Sequence, residues 1–140
     1  MADAKIIIAP RFVRIAGRIM SGRNDARAVA IFPFIFIRDE SQNMPWLINH
    51  EHIHFSQQLE TLFIGVALIS LIEYLYARLV LGYSKQQAYL YQASEQEAYR
   101  NQQDQSYLKN RNFAEYYRYI FNKREFTFSE PGEIRYLDNQ

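Results

Sequence analysis

All three histidines of this chain lie within five consecutive residues, as His50, His52 and His54. They stand in a segment with helical periodicity that begins near Trp46. Residues four apart share one face of a helix, so the imidazoles of His50 and His54 can reach the same metal ion. His52 points away from that face, and we expect it to pack or to form a hydrogen bond. A fold that uses this spacing must keep a helix over residues 50–54.

The glutamate between the histidines, Glu51, gives the segment the form H-E-x-x-H. Glu51 is rotated away from the two ligands, yet it lies close enough to reach a water molecule on the ion. A carboxylate there can take a proton from the water and deliver it to a leaving amine. Because Zn²⁺ lowers the pKa of bound water to about 7, the motif predicts a zinc-dependent hydrolase with Glu51 as general base. A helix that is rich in histidine by chance is the alternative.

The composition restricts the remaining ligand of such a site. A catalytic zinc site needs a third protein ligand and one open position. The chain has no cysteine and no further histidine, so the third ligand must be Asp or Glu. Three downstream residues are candidates: Glu73, Glu95 and Glu97. Each also has a structural interpretation, Glu73 as a buried carboxylate in an ion pair and the other two as residues near the start of a helix.

Three segments together resemble a known family. His50 to His54 is followed by Gln57 and Gln58, by an Ile72–Leu75 segment of sequence Ile-Glu-Tyr-Leu, and by Glu95–Tyr99 of sequence Glu-Gln-Glu-Ala-Tyr. This pattern resembles the gluzincin metallopeptidases, in particular small bacterial HExIH proteins of the minigluzincin type, over about residues 28–110. The resemblance implies a zincin-like fold, a Zn²⁺ cofactor and a peptide or protein substrate.

The resemblance also bears on the open choice of ligand. Glu95 opens a segment similar to the E-x-x-A-[DN] helix of gluzincins, whose first Glu binds zinc. Glu73 follows His54 at the aminopeptidase gluzincin spacing but in a different local context, and Glu97 stays as an alternative. Tyr99 stands where those families have Asp or Asn. Three side chains are candidates to orient the ligands: Gln57, Gln58 and Tyr99. The two glutamines could instead make polar contacts in the core.

A strand upstream of the motif completes the resemblance. Residues 28–37 are β-branched and aromatic, with Pro33 inside the run, which is typical of an edge or bulged strand. In gluzincins an edge strand beside the HExxH helix holds the extended substrate by strand addition. The resemblance thus implies a substrate strand made of Ile31, Phe32, Pro33, Phe34 and Ile35. An ordinary core strand is the alternative.

The length and the pattern predict one α+β domain over residues 1–140. Residues 1–40 are predicted to be strand-rich, residues 45–122 helical and residues 124–140 an irregular tail. The long helical stretch from Trp46 should break near residues 61–65, where Gly65 weakens it. We expect a small N-terminal antiparallel sheet packed on a helical bundle that carries the HExxH helix.

The apolar segment at residues 61–83 raises the question of a membrane. Glu73 lies in its middle, which disfavours a spanning helix. The segment predicts either a buried helix or one that lies at a bilayer surface, with peripheral membrane contact. A membrane-surface protein is therefore one alternative function, and a zinc-binding module without hydrolysis is another.

Two further features bear on partners and location. The net charge of +1 and the absence of phosphate-binding glycine motifs argue against a nucleic-acid partner. The N-terminal apolar run Ile6–Ala9 is too short for a secretory signal. We therefore expect a cytoplasmic protein, with membrane association as the alternative.

Overall fold

The computed structural model describes residues 4–22, 24–124, 126–130 and 133–136. The elements follow one another as β1 (Lys5–Ile8), α1 (Pro10–Ser21), β2 (Ala28–Ile31), β3 (Phe34–Ile37), α2 (Pro45–Glu60), α3 (Ile64–Leu79), α4 (Lys85–Tyr91), α5 (Ala93–Asn101), α6 (Tyr107–Asn110), α7 (Glu115–Phe121), β4 (Phe126–Glu130) and β5 (Glu133–Tyr136). The predicted α+β class, with a small sheet packed on helices, is confirmed.

The N-terminal sheet is mixed and has the order β1-β3-β2. β2 and β3 pair antiparallel, as expected, whereas β1 joins β3 in parallel because α1 crosses over between them. The expectation of one strand over residues 28–37 is corrected. The chain turns at Phe32 and Pro33, which are joined by a cis peptide bond, and returns as a hairpin. Proline fits this turn because no ladder hydrogen bond is needed from its nitrogen.

The strand-rich prediction for residues 1–40 missed the helix α1. Pro10 marks the end of β1 and is also the first residue of α1, a position where its missing N–H costs nothing. Val13 and Gly17 face the core from this helix. Gly22 ends the helix in the left-handed conformation, with φ 69°. A proline in this place fits both the end of a strand and the start of a helix, so it does not by itself indicate which element follows.

The predicted break in the long helical stretch is confirmed, because α2 and α3 are bent by 108° between Glu60 and Ile64. The Thr61 hydroxyl donates to the carbonyl of Gln57 at 2.7 Å and accepts from Val66 N–H at 2.9 Å. Gly65 is required there, since a Cβ at this residue would lie 2.8 Å from Cβ of Thr61. Within the described ranges, no single helix is long and apolar enough to cross a membrane; α2 and α3 meet those criteria only as this bent pair.

The helix α5 lies at the centre of the helical part, in contact with α2, α3, α4 and α7. Its residues Ala93 and Ala98 are fully buried, which allows close approach of the neighbouring helices. The first half of α5 also buries Glu95 and Glu97. Because α2 packs on β2 as well as on α5, the HExxH helix lies between the sheet and this polar face.

The tail was predicted to be irregular, but β4 and β5 form a two-stranded antiparallel sheet. The other residues of that prediction, namely 125, 131–132 and 137–140, lie outside the described residues. Alternation of apolar and polar residues, as in Phe-Thr-Phe, was the signal for a strand in this segment.

Candidate metal centre

The structure brings together His50 and His54 from α2 and Glu95 from the first turn of α5. The two Nε2 atoms lie 3.1 Å apart. Nε2 of His50 lies 3.6 Å from Oε2 of Glu95, and Nε2 of His54 lies 3.4 Å from Oε1. One ligand atom from each residue lies within 4.8 Å of the others, an arrangement that could hold one metal ion. Of the three candidate glutamates, Glu95 is the one that lies beside the histidines.

Both imidazoles are oriented by amide oxygens on their far side. Nδ1 of His50 lies 3.0 Å from Oε1 of Gln102, and Nδ1 of His54 lies 2.9 Å from Oε1 of Gln57. An amide oxygen only accepts hydrogen bonds, so each Nδ1 donates its proton, and in the neutral imidazole Nε2 then carries a lone pair. This is the tautomer that a metal-ligating histidine needs, and such partners fix the direction of the ring.

Gln57 links the site to a second glutamate, Glu97. Its Nε2 donates to Oε2 of Glu97 at 2.9 Å and to the carbonyl of Ser94 at 3.0 Å. Glu97 is completely buried and faces Arg111, whose Nε donates to Oε1 at 2.5 Å. Glu97 therefore lies behind the candidate ligand His54, to which Gln57 connects it, and not beside the two Nε2 atoms.

Arg111 is paired on both sides. Its guanidinium also donates to the carboxylate of Glu60 at 3.0 Å, and its side chain is only 5% exposed. The Tyr107 hydroxyl donates to Glu97 at 3.0 Å. These contacts hold the start of α5 against the end of α2, the two segments that supply the candidate ligands.

Glu73 belongs to a different part of the fold. Its carboxylate accepts from Ala93 N–H at 2.9 Å and pairs with Lys123. Ala93 is the first residue of α5, so Glu73 satisfies a free donor at that helix end. The structural interpretation of Glu73 as a buried carboxylate in an ion pair therefore fits.

Sequence reasoning missed Gln102, which orients His50, and Asn49, which supports Gln102. Nδ2 of Asn49 lies 3.0 Å from the carbonyls of Gln102 and Asp104 and 3.3 Å from that of Asn101. Asn49 thus holds the turn after α5 that presents Gln102. The only signal in the sequence was the polar run after α5, and nothing in it distinguished Gln102 from Gln103.

Two tyrosines border the ligands. Tyr99 packs edge-to-face on His50, with ring centroids 4.7 Å apart. Tyr89, which the sequence analysis missed, makes a hydrogen bond to Glu95, and burial together with this carboxylate raises its pKa. Burial raises the pKa of the Glu95 carboxyl, but the positive charge of His54 and His50 in their protonated form, with hydrogen bonds from His50 and Tyr89, outweighs burial and holds the pKa below its ordinary value.

Glu51 lies beside the ligands, 4% exposed, and accepts a hydrogen bond from the backbone N–H of Ala30 on β2. Burial raises the pKa of the Glu51 carboxyl to about 7; His54 opposes this shift and Glu95 adds to it. His52, in contrast, packs against the ring of Phe55, with centroids 5.6 Å apart. The two faces of α2 therefore separate the polar site from the core.

The outer edge of β2 contacts the HExxH helix. Nε2 of Gln58 donates to the carbonyl of Ala30 at 2.9 Å, and Phe32 N–H donates to Oε1 of Gln58 at 3.0 Å. Gln58 thus makes a polar contact with the strand, the alternative role considered for it. The predicted five-residue substrate strand is corrected, since Phe34 and Ile35 belong to the central strand β3.

A cleft of about 340 Å³ lies over these residues. Its walls are apolar and include Met20 from α1, Ile31 from β2 and Phe63 and Val66 from the turn and start of α3. Its lining also includes His50, Glu51, His54 and Glu95. The candidate ligands and the candidate base are therefore all reached from one cavity.

No protein-family model, curated protein or solved structure matches this chain. The resemblance to gluzincins therefore depends only on the short sequence segments that carry it, around residues 50–58, 72–75 and 95–99.

Proposed function

We propose that the chain is a zinc-dependent metallopeptidase of gluzincin type, in which His50, His54 and Glu95 hold Zn²⁺ and Glu51 is the general base. One observation carries the proposal: two Nε2 atoms and one carboxylate converge beside a buried glutamate within a single cleft. Two imidazoles and one carboxylate are the donor set of several catalytic zinc sites, which keep a fourth position for water or substrate.

The surroundings of Glu95 support a cation at this place. Its Oε2 atom is buried and makes no hydrogen bond within the described part of the chain. A buried carboxylate oxygen without a donor is costly unless a cation satisfies it. The nearest candidate donors are the histidine Nε2 atoms. In the neutral imidazoles, whose Nδ1 atoms donate to Gln57 and Gln102, these Nε2 atoms carry lone pairs and not protons.

The roles of the residues follow from their positions. A Zn²⁺ ion held by His50, His54 and Glu95 would supply a Lewis acid for the scissile carbonyl and would lower the pKa of a bound water molecule. Glu51 accepts one proton from the water molecule as the water oxygen bonds to the carbonyl carbon. Glu51 then delivers that proton to the amine nitrogen as the C–N bond breaks. The apolar walls of the cleft, among them Met20 and Phe63, suit a peptide with an apolar side chain beside the scissile bond.

The test compares metal content and hydrolysis in two variants. Elemental analysis of the wild type should find about one zinc per chain, and His54→Ala should lose it. Glu51→Gln should keep zinc and lose cleavage of a peptide mixture followed by mass spectrometry. A wild-type protein that binds no zinc at micromolar metal would refute the proposal.

A zinc-binding module without hydrolysis is the second candidate, and one observation favours it. Gln58 and Glu51 both form hydrogen bonds with Ala30 on the outer edge of β2, and Gln58 also accepts from Phe32 N–H just after the strand. A peptide that adds to this strand would have to compete with these contacts. Peptide cleavage that disappears in Glu51→Gln excludes this candidate.

A further inference from the structure

The helix α3 exposes a long apolar stripe to solvent. Six side chains at helical spacing form it: Ile64, Leu68, Leu71, Ile72, Leu75 and Leu79, which are between 45% and 79% exposed. The opposite face of the helix buries Glu73 and Ala77. A monomeric protein in water rarely exposes a contiguous apolar patch of more than a few hundred Å². The stripe therefore indicates a contact with another apolar surface.

The helix α1 has a second apolar surface, next to arginines. Val13 and Gly17 face the core, whereas Phe12, Ile15 and Ile19 are 40%, 58% and 79% exposed. Three arginines of the same helix are also exposed: Arg11, Arg14 and Arg18. The helix contains no acidic residue. Apolar side chains beside arginines are typical of a helix that lies in the interface of a bilayer.

The distribution of charge agrees with this interpretation. Residues 1–38 contain seven Lys and Arg against two Asp and Glu, although the whole chain carries only +1. Anionic lipid head groups attract a basic surface of this kind. A second copy of the chain fits less well, because a two-fold interface through α1 would bring the arginines of one copy close to those of the other.

Both helices also border the cleft of the candidate metal centre. Gly17 and Met20 of α1 line it on one side, and Val66 and Ser70 of α3 line it as well. The apolar stripe lies on a different face of α3, so a surface bound to the stripe does not need to fill the cleft. A contact through α1 and α3 would therefore place the cleft beside the bound surface.

We propose that α1 and α3 dock this protein on the surface of an anionic lipid bilayer. The exposed isoleucines and leucines enter the boundary between head groups and acyl chains. The arginines of α1 pair with lipid phosphates. Docking needs neither zinc nor hydrolysis, and it can hold or fail independently of the proposed peptidase activity.

Vesicle flotation tests the docking with the full-length chain. The wild type should float with mixed phosphatidylcholine–phosphatidylglycerol vesicles and bind pure phosphatidylcholine more weakly. Leu68→Ser with Ile72→Ser should reduce binding to both by roughly tenfold or more, because two exposed apolar side chains that would enter the bilayer are lost. Arg14→Glu with Arg18→Glu should reduce only the preference for the anionic vesicles.

Two controls make the outcome specific. Phe113 is 83% exposed and lies outside both helices, so Phe113→Ser should bind vesicles like the wild type. His54→Ala should also bind like the wild type, which separates docking from the metal centre. Circular dichroism checks that each variant is folded. Wild-type protein that floats with neither kind of vesicle, or a dimer in sedimentation that the Leu68/Ile72 variant abolishes, overturns the proposal.

Discussion

Gln57 connects a candidate metal ligand to the buried charge network because its amide both accepts and donates. Its oxygen accepts from His54, and its nitrogen donates to Glu97. An aliphatic side chain at this position would free the His54 ring to rotate or to change tautomer. Partners of this kind typically contribute tenfold to hundredfold in metal affinity.

We therefore expect Gln57→Leu to weaken zinc binding by roughly ten- to hundredfold. Competition with a chromophoric chelator measures the affinity. Gln58→Leu is a matched control, since Gln58 bonds to β2 and not to the histidines. Equal zinc affinities of the two variants would show that Gln57 does not orient the ligand.

The stability of the fold depends on Arg111, whose buried guanidinium pairs with two carboxylates. Its removal would leave Glu60 and Glu97 without their cation, and Glu97 is fully buried. Breaking a buried ion pair by removing one partner costs about 3–5 kcal/mol. We expect Arg111→Ala to lower the free energy of unfolding by about that amount in urea.

The exposed ion pair of Arg118 with Glu115 supplies the comparison. The side chain of Arg118 is 68% exposed. Such pairs contribute at most about 1 kcal/mol, so Arg118→Ala should change the free energy of unfolding by no more than that. Similar losses in both variants would mean that the Arg111 network does not hold α2 and α5 together.

Among individual residues, the sequence predicts those whose relative positions are set by one short segment of the chain. His50, Glu51 and His54 are recognisable because one helix turn fixes their spacing. Glu95 could be chosen from three glutamates only through the resemblance, since 40 residues separate it from His54. Gln102 could not be found, because the hydrogen bonds of Asn49 that place it come from a different helix.

Among the elements, the bend between α2 and α3 depends on one small residue. Ala is a better helix former than Gly by about 1 kcal/mol, so propensity alone would make Gly65→Ala stabilising. The added Cβ would instead meet Thr61 at 2.8 Å. We expect a net loss of about 1–3 kcal/mol, the usual cost of overpacking.

Thermal and urea unfolding of Gly65→Ala measure the sign of this effect. Ala67→Gly, on an exposed part of the same helix, gives the size of the propensity contribution alone. A Gly65→Ala protein more stable than the wild type would show that the turn has room for a side chain.

The elements that the sequence predicted well have a clear local pattern of their own. The elements that it missed lie at prolines, which occur at the ends of strands, in turns and at the starts of helices. The break near Gly65 follows from the low helix propensity of glycine, and it is present. Pro10 lies in the segment predicted to be strand-rich, and Pro33 lies inside the strand predicted over residues 28–37. Pro10 starts α1, and Pro33 lies in a hairpin turn. The position of that turn depends on the pairing of β2 with β3.

For the whole molecule, the candidate centre depends on how three layers meet. The sheet contacts Glu51 and Gln58, α2 supplies the histidines, and α5 supplies Glu95. The turn after α5 returns Gln102 to His50. Packing of α2 between the sheet and α5 is therefore the condition for a complete ligand set, which explains why the sequence alone left three glutamates open.

X-ray absorption at the zinc edge tests the central claim most directly, with the wild type and the variants Glu95→Gln, Glu97→Gln and Glu73→Gln. In the wild type we expect two histidine nitrogens at about 2.0–2.1 Å from the zinc and a carboxylate oxygen at about 2.0–2.2 Å from it. The oxygen contribution should change only in Glu95→Gln. A wild-type spectrum without a histidine contribution would contradict this ligand set. So would an oxygen contribution that changes in Glu73→Gln and stays the same in Glu95→Gln.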